Sequence, residues 1–124
     1  MSEESDLHLQ LDKIVKLSEE GRISWRPLNP QAYRWIKPVP NNNQMITTIQ
    51  FAGRQMLPPL PGKPPEQMDM YVLTMQLTNP PEVVFQINAQ DVEYRDILSK
   101  IYEAARAAST KGTAKMLDDL LRDL

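Results

Sequence analysis

Catalysis and metal binding need side chains that converge, and this sequence offers few sets that can. His8 is the only histidine, and there is no cysteine. A zinc site draws on several nitrogen and sulfur ligands, so a lone imidazole near a helix start reads as a packed or solvated side chain. A Ser-His-acid triad finds no G-x-S-x-G turn here, and a helix N-terminus lowers the basicity that the histidine would need. The neighbouring acids Glu19/Glu20 and Asp118/Asp119 fall on helical stretches. Adjacent residues there point about 100° apart and do not meet on one reacting atom. Gly21, Gly53, Gly62 and Gly112 stand singly at expected turns or helix ends, and none belongs to a phosphate-cradling loop. No catalytic residue, cofactor or metal site is expected, and the chain reads as non-enzymatic.

Three stretches are better suited to binding than to reaction. Arg22, Arg26, Arg34 and Lys37 carry positive charge with no acid between them, and Trp25, Tyr33 and Trp35 are interleaved. Aromatic platforms beside cations suit a single-stranded nucleic acid or another acidic ligand. The alternative is that the rings cover one end of the core while the arginines pair with surface acids. The net charge of -2 argues against binding nucleic acid over the whole surface and leaves a local basic patch open. The second stretch, Pro58-Pro59-Leu60-Pro61-Gly62-Lys63, satisfies a PxxP-plus-basic pattern, but a plain loop between strands explains it equally. The third is the C-terminal run. Met116, Leu117, Leu120, Leu121 and Leu124 share one side of a helix, while Asp118, Asp119, Arg122 and Asp123 take the other. That stripe belongs either to the core or to a contact with a partner protein or a second copy.

The elements that would hold these stretches follow from periodicity. With 124 residues and 41% apolar content, one domain with a real core is expected over residues 1–124. Residues 1–6 read as frayed, and Ser5 or Asp6 can cap a helix over about 7–20. Leu7, Leu11, Ile14 and Val15 form its apolar face, and Gly21 stops it. In residues 22–43 four prolines argue against a continuous helix or a central strand. A short edge strand over Ile23–Arg26, a turn at Asn29-Pro30 and a turn tip at Asn41–Asn43 are expected there.

Gln44–Phe51 reads as a strand, with a tight turn at Ala52-Gly53 and a short return over Arg54–Leu57. Residues 58–69 read as a proline-rich connection. Met70–Leu77 and Val83–Ile87 form a hairpin about Asn79-Pro80-Pro81. Tyr71, Leu73, Met75, Leu77, Val83, Phe85 and Ile87 should face the helices, and Val72, Thr74, Gln76, Val84 and Gln86 should be wet. Asp91 caps a helix with the stripe Tyr94, Ile97, Leu98, Ile101, Tyr102, Ala105 and Ala108, ended by Lys111-Gly112. Thr113 then caps a short last helix over 113–124. The class is therefore α+β: an antiparallel β-meander of about 3–4 strands covered on one face by an N-terminal and a C-terminal helix, plus a short terminal helix.

A resemblance supports this order. EEGRISW after the first helix, ITTIQFAGRQML, YVLTMQL, EVVFQI, DILSKIYEAARAAS and the tail MLDDLLRDL occur in sequence. They resemble a group of small uncharacterised bacterial proteins, frequent in cyanobacteria, with an EGxIxW motif and an LDDLL-type tail. The resemblance implies a helix–meander–helix domain and no particular activity. Residues 26–43 and 58–69 depart from the pattern by being longer and richer in proline.

The lack of cysteine fits a reducing cytoplasm. MSEESDLHLQ has no signal-peptide pattern, and no apolar run approaches the ~18 residues of a membrane span. A soluble, cytoplasmic protein without a membrane partner is expected. The leading reading is a protein-interaction or regulatory domain that binds a protein partner or itself. The alternative is single-stranded nucleic-acid or acidic-ligand binding through residues 22–37.

Overall fold

The computed structural model describes residues 3–56, 61–88, 92–122 and 124. The expected cap Asp91 and part of the proline-rich connection lie outside the described residues. The elements are α1 (Glu3–Glu19), β1 (Arg26–Asn29), β2 (Ala32–Val39), β3 (Asn43–Met56), β4 (Gln67–Thr78), β5 (Pro81–Ile87), a 3-10 turn (Val92–Tyr94) and α2 (Arg95–Leu121). The strands form one antiparallel sheet in the order β1-β2-β3-β4-β5. The fold is α+β with a helix at each end, and the sheet has five strands rather than three or four.

Alternation along the strands creates two faces. On the covered face, Tyr33, Ile49, Leu73 and Ile87 lie opposite one another across β2 to β5. Trp35, Thr47, Met75 and Phe85 form the next row. Leu98, Ile101 and Ala105 of α2 bury against this face, and Leu11 and Val15 of α1 complete the same cluster. Each fully buried Leu or Ile contributes about 1.5–3 kcal/mol through removal of apolar surface from water.

Five local expectations change, each for a physical reason. First, α1 starts at Glu3, about a turn before the expected Leu7. Second, the strand after α1 is not Ile23–Arg26. Ile23 and Trp25 are instead buried in the connection, and β1 starts at Arg26. Third, residues 32–39 form a strand in spite of their proline. β1 pairs with β2 only as far as Arg34, so Pro38 lies where β2 has a neighbour on one side alone. A missing N–H costs little there.

Fourth, Ala52-Gly53 is not a turn. β3 runs through it with a bulge between Phe51 and Arg54, where Gly53 takes φ +105°. The ribbon continues to Met56↔Gln67, and Arg54 Nε meets Asp69 Oδ1 at 2.9 Å. Fifth, a bulge in β5 pairs Met75 with Phe85 but Gln76 with Val83. Val83 therefore sits on the open face with 55% of its surface exposed, instead of facing the helices.

The turn between β2 and β3 is tied to the turn between β4 and β5 by Asn43. Its Oδ1 accepts from the Thr78 and Asn79 backbone N–H groups at 3.1 and 2.9 Å, and its Nδ2 donates to the Asn79 carbonyl at 2.8 Å.

Thr47 is the polar exception within the covered face. It is 1% exposed, and its hydroxyl has no hydrogen-bond partner among the described residues. An unmatched buried hydroxyl loses its water without replacement. Thr47→Val is expected to raise the unfolding free energy by about 1 kcal/mol in urea denaturation.

Tyr71 and Tyr102 pack together on this face with ring centroids 4.8 Å apart and planes tilted by 38°. Burial, acting chiefly by desolvation, raises both phenols above the ordinary value of 10.0. A raised folded-state value favours the native state below pH 10, and the advantage is lost as pH climbs through the folded value. Unfolding midpoints should therefore fall above about pH 10, and the fall should be smaller in a Tyr71→Phe variant.

Candidate functional site

The basic and aromatic residues of the 22–37 stretch separate in the fold. Trp25 is 3% exposed. Its indole Nε1 donates to Ser18 Oγ at 2.8 Å, and that hydroxyl donates to the Ile14 carbonyl at 2.7 Å. Trp35 packs beside Trp25 at 6.2 Å, and Tyr33 meets Tyr102 edge-on at 5.5 Å. All three rings are on the helix-covered side. Arg26 and Arg34 are opposite one another in β1 and β2, and their row continues through Thr48, Thr74 and Gln86 on the open face. Arg22 lies 3.9 Å from Glu20, and Lys37 is exposed. Arg26 and Arg34 thus lie on the opposite face of the sheet from the rings of Tyr33 and Trp35, whereas Lys37 follows them along β2 on the same face.

His8 has a structural setting. Its Nε2 donates to the Glu93 carbonyl at 3.1 Å, and its ring stacks on Tyr94 at 4.7 Å. It joins the first turns of α1 to the start of α2. Among the described residues, no group of three or more His, Asp or Glu could hold a metal ion. No described helix is long and apolar enough to cross a membrane.

The C-terminal leucines occupy a different kind of surface. Lys111-Gly112 does not end the helix, and no separate helix starts at Thr113; α2 runs unbroken to Leu121. Glycine in a helix interior costs about 1 kcal/mol relative to alanine, which the good helix formers after it can offset. The Thr113 hydroxyl donates back to the Ser109 carbonyl at 3.0 Å, so it serves inside the helix instead of capping one.

Burial of α2 ends at Ser109, and every described residue from Thr110 onward is exposed. Residues 110–121 therefore overhang by about 18 Å at 1.5 Å per residue. On this overhang Met116, Leu117, Leu120 and Leu121 are 52–65% exposed, and Leu124, beyond the helix, is 98% exposed. The opposite side pairs with itself, with Arg122 3.1 Å from Asp118 and 3.8 Å from Asp119. Counting about 100° per residue, the overhang's apolar stripe is turned about a third of a circle from the core-facing side of α2. It is aimed away from the protein's own sheet.

The overhang borders a groove of about 910 Å³ between residues 18–27 and the 104–116 part of α2. Ile23, Trp25, Ala104 and Ala108 supply apolar wall. Glu19, Glu20 and Arg26 stand on one rim, and Lys111, Lys115 and Met116 on the other. The groove exists because α1 ends early. Gly21 adopts φ +77°, the Gly21 N–H bonds the Ser18 carbonyl at 3.1 Å, and the Arg22 N–H bonds the Leu17 carbonyl at 2.9 Å. This pair of bonds is the left-handed helix stop for which glycine is suited. The chain then turns under the helices and buries Ile23 and Trp25.

The sequence announces the leucine stripe through its spacing, but not the groove. The groove joins segments about eighty residues apart in sequence, and its only local signal is the run of small residues Ala104, Ala107, Ala108 and Gly112.

Fold and surface together define a small α+β domain with an amphipathic helix end projecting beside an apolar groove. No protein-family model, curated protein or solved structure matches the chain.

Because the Trp25–Ser18 bond holds the groove wall, Trp25→Phe should cost about 1–2 kcal/mol of stability, from one lost hydrogen bond and a less filled site. Ser18→Ala should cost a similar amount. The double variant should lose less than the sum of the two, as read from a double-mutant cycle in urea.

Proposed function

We propose that this protein is a non-enzymatic interaction domain that docks onto another protein chain through the overhanging end of α2. The observation that carries the reading is the exposed stripe Met116, Leu117, Leu120 and Leu121 on a helix end beyond the last buried residue, Ser109. A helix segment of three turns is marginal in water without a packed face. An amphipathic helix of this length is a common docking element, because a complementary groove removes its apolar side from water. Covering the stripe is worth about 1 kcal/mol or more per residue.

The self-paired polar flank is consistent with this: Asp118, Asp119 and Arg122 stay solvated in a complex and need no partner. The resemblance to helix–meander–helix bacterial proteins with an LDDLL-type tail belongs to the same proposal, and it adds architecture without activity. The proposal extends to a cytoplasmic setting, since a chain without cysteine calls for no oxidising compartment.

Removal of residues 113–124 tests the reading. The truncated chain is expected to keep its circular dichroism and to unfold within about 0.5 kcal/mol of the full chain, as for surface changes. It should also lose any association seen with the full chain by light scattering or co-purification. A truncated chain that unfolds, beside a full chain that associates with nothing, would show the helix end to be part of the core and end the proposal.

A further inference from the structure

We propose that the open face of the sheet is a second binding surface, independent of the helix end, and that its ligand is a short acidic segment of a partner protein that also carries aliphatic side chains. Arg26 and Arg34 lie directly opposite one another in β1 and β2, and both are exposed. Facing residues of an antiparallel pair have Cβ atoms about 5 Å apart, and like charges there repel. Neither arginine makes an ion pair among the described residues. The acids within the strands, Asp69 and Glu82, belong to rows of the other face, where Asp69 is held by Arg54 and Glu82 lies opposite Leu77. Among the described strand residues, the open face therefore carries cations and no carboxylate, although the chain has a net charge of -2. A carboxylate set between the two guanidinium groups turns their repulsion into charge-assisted hydrogen bonds.

The surroundings of the pair extend the match. The same row continues through Thr48, Thr74 and Gln86, whose side chains can donate hydrogen bonds to further acidic oxygens. Ile36 follows Arg34 by two residues along β2, a distance of about 7 Å. It begins the next row, Ile36–Ile46–Gln76–Val83, in which Ile36 is 42% and Val83 55% exposed. In an extended peptide, an acidic residue and an aliphatic one two positions later are separated by the same ~7 Å. One short segment can thus place a carboxylate on the arginines and an apolar side chain on the isoleucines.

The rings decide against a nucleic acid. Tyr33, Trp35, Phe51, Tyr71 and Phe85, the aromatic residues of the strands, all fall in rows of the helix-covered face. A single strand would find cations for its phosphates but no platform on which its bases could stack. The net negative charge also works against a long polyanion. The isoleucines and Val83 offer their gain to an aliphatic side chain, which a peptide has and a sugar-phosphate chain lacks.

Selection from a display library of short random peptides on the immobilised full chain tests this. The enriched peptides are resynthesised and titrated by fluorescence anisotropy. They are expected to combine Asp or Glu with Leu, Ile or Val two positions away. Arg34→Glu should raise their Kd about tenfold or more, the loss of a charged hydrogen bond, and Ile36→Thr should raise it several-fold. Arg34→Glu sets an acid opposite Arg26, so circular dichroism should be unchanged and the loss cannot be ascribed to unfolding. Lys111→Glu/Lys115→Glu in the groove rim and deletion of residues 113–124 should leave Kd unchanged, which separates this surface from the groove and from the helix end. A selection that enriches no acidic peptide, or peptides that bind the Arg34→Glu chain equally well, would overturn the proposal. So would an oligothymidylate that binds through Arg34 more tightly than the selected peptides, which would assign the face to nucleic acid.

Discussion

The row Tyr33–Ile49–Leu73–Ile87 sets the register of four strands at once. Side chains alternate across a sheet, so a slip of one residue in any of these strands would send its apolar set into water. With the row in place, Trp35, Thr47 and Phe51 fall on the same face, and α2 has a surface on which to bury Leu98, Ile101 and Ala105. α1 then packs mainly on α2, and Trp25 closes the edge through Ser18. The groove and the overhang are what remain when this nested packing stops short of the end of α2.

That hierarchy explains the division of labour between the surfaces. Rings that might have served as stacking platforms are used as core, and the arginines among them are turned to the open side of the sheet. The open face is polar in its Arg26–Arg34–Thr48–Thr74–Gln86 row and partly apolar in the next, Ile36–Ile46–Gln76–Val83. The helix end differs in concentrating four large exposed apolar residues, Met116, Leu117, Leu120 and Leu121.

Strands and helices with one strong period were legible from sequence. The Leu7–Val15 face, the Tyr71–Leu77 alternation and the Ile97–Ala108 stripe each have a single reading, and the structure follows it. The departures occur at residues whose local preference competes with long-range pairing. Pro38 is tolerated because β1 ends before reaching it. Gly53 becomes a bulge because β4 continues alongside β3 and supplies partners as far as Met56. Gly112 leaves the helix intact, although glycine near lysine commonly marks a helix end. The leucine stripe could be read from spacing, whereas its exposure could not: that depends on where the sheet and α1 run out.

The left-handed turn at Gly21 acts as a length gauge for the groove. α1 and α2 run side by side from the His8–Tyr94 contact, so the residue at which α1 stops determines how much of α2 is left uncovered. An added turn of α1 would cover about 5 Å more of α2 and shorten the groove by that amount. The length of the groove is thus encoded far from the leucines, in one backbone dihedral at the opposite end of the chain.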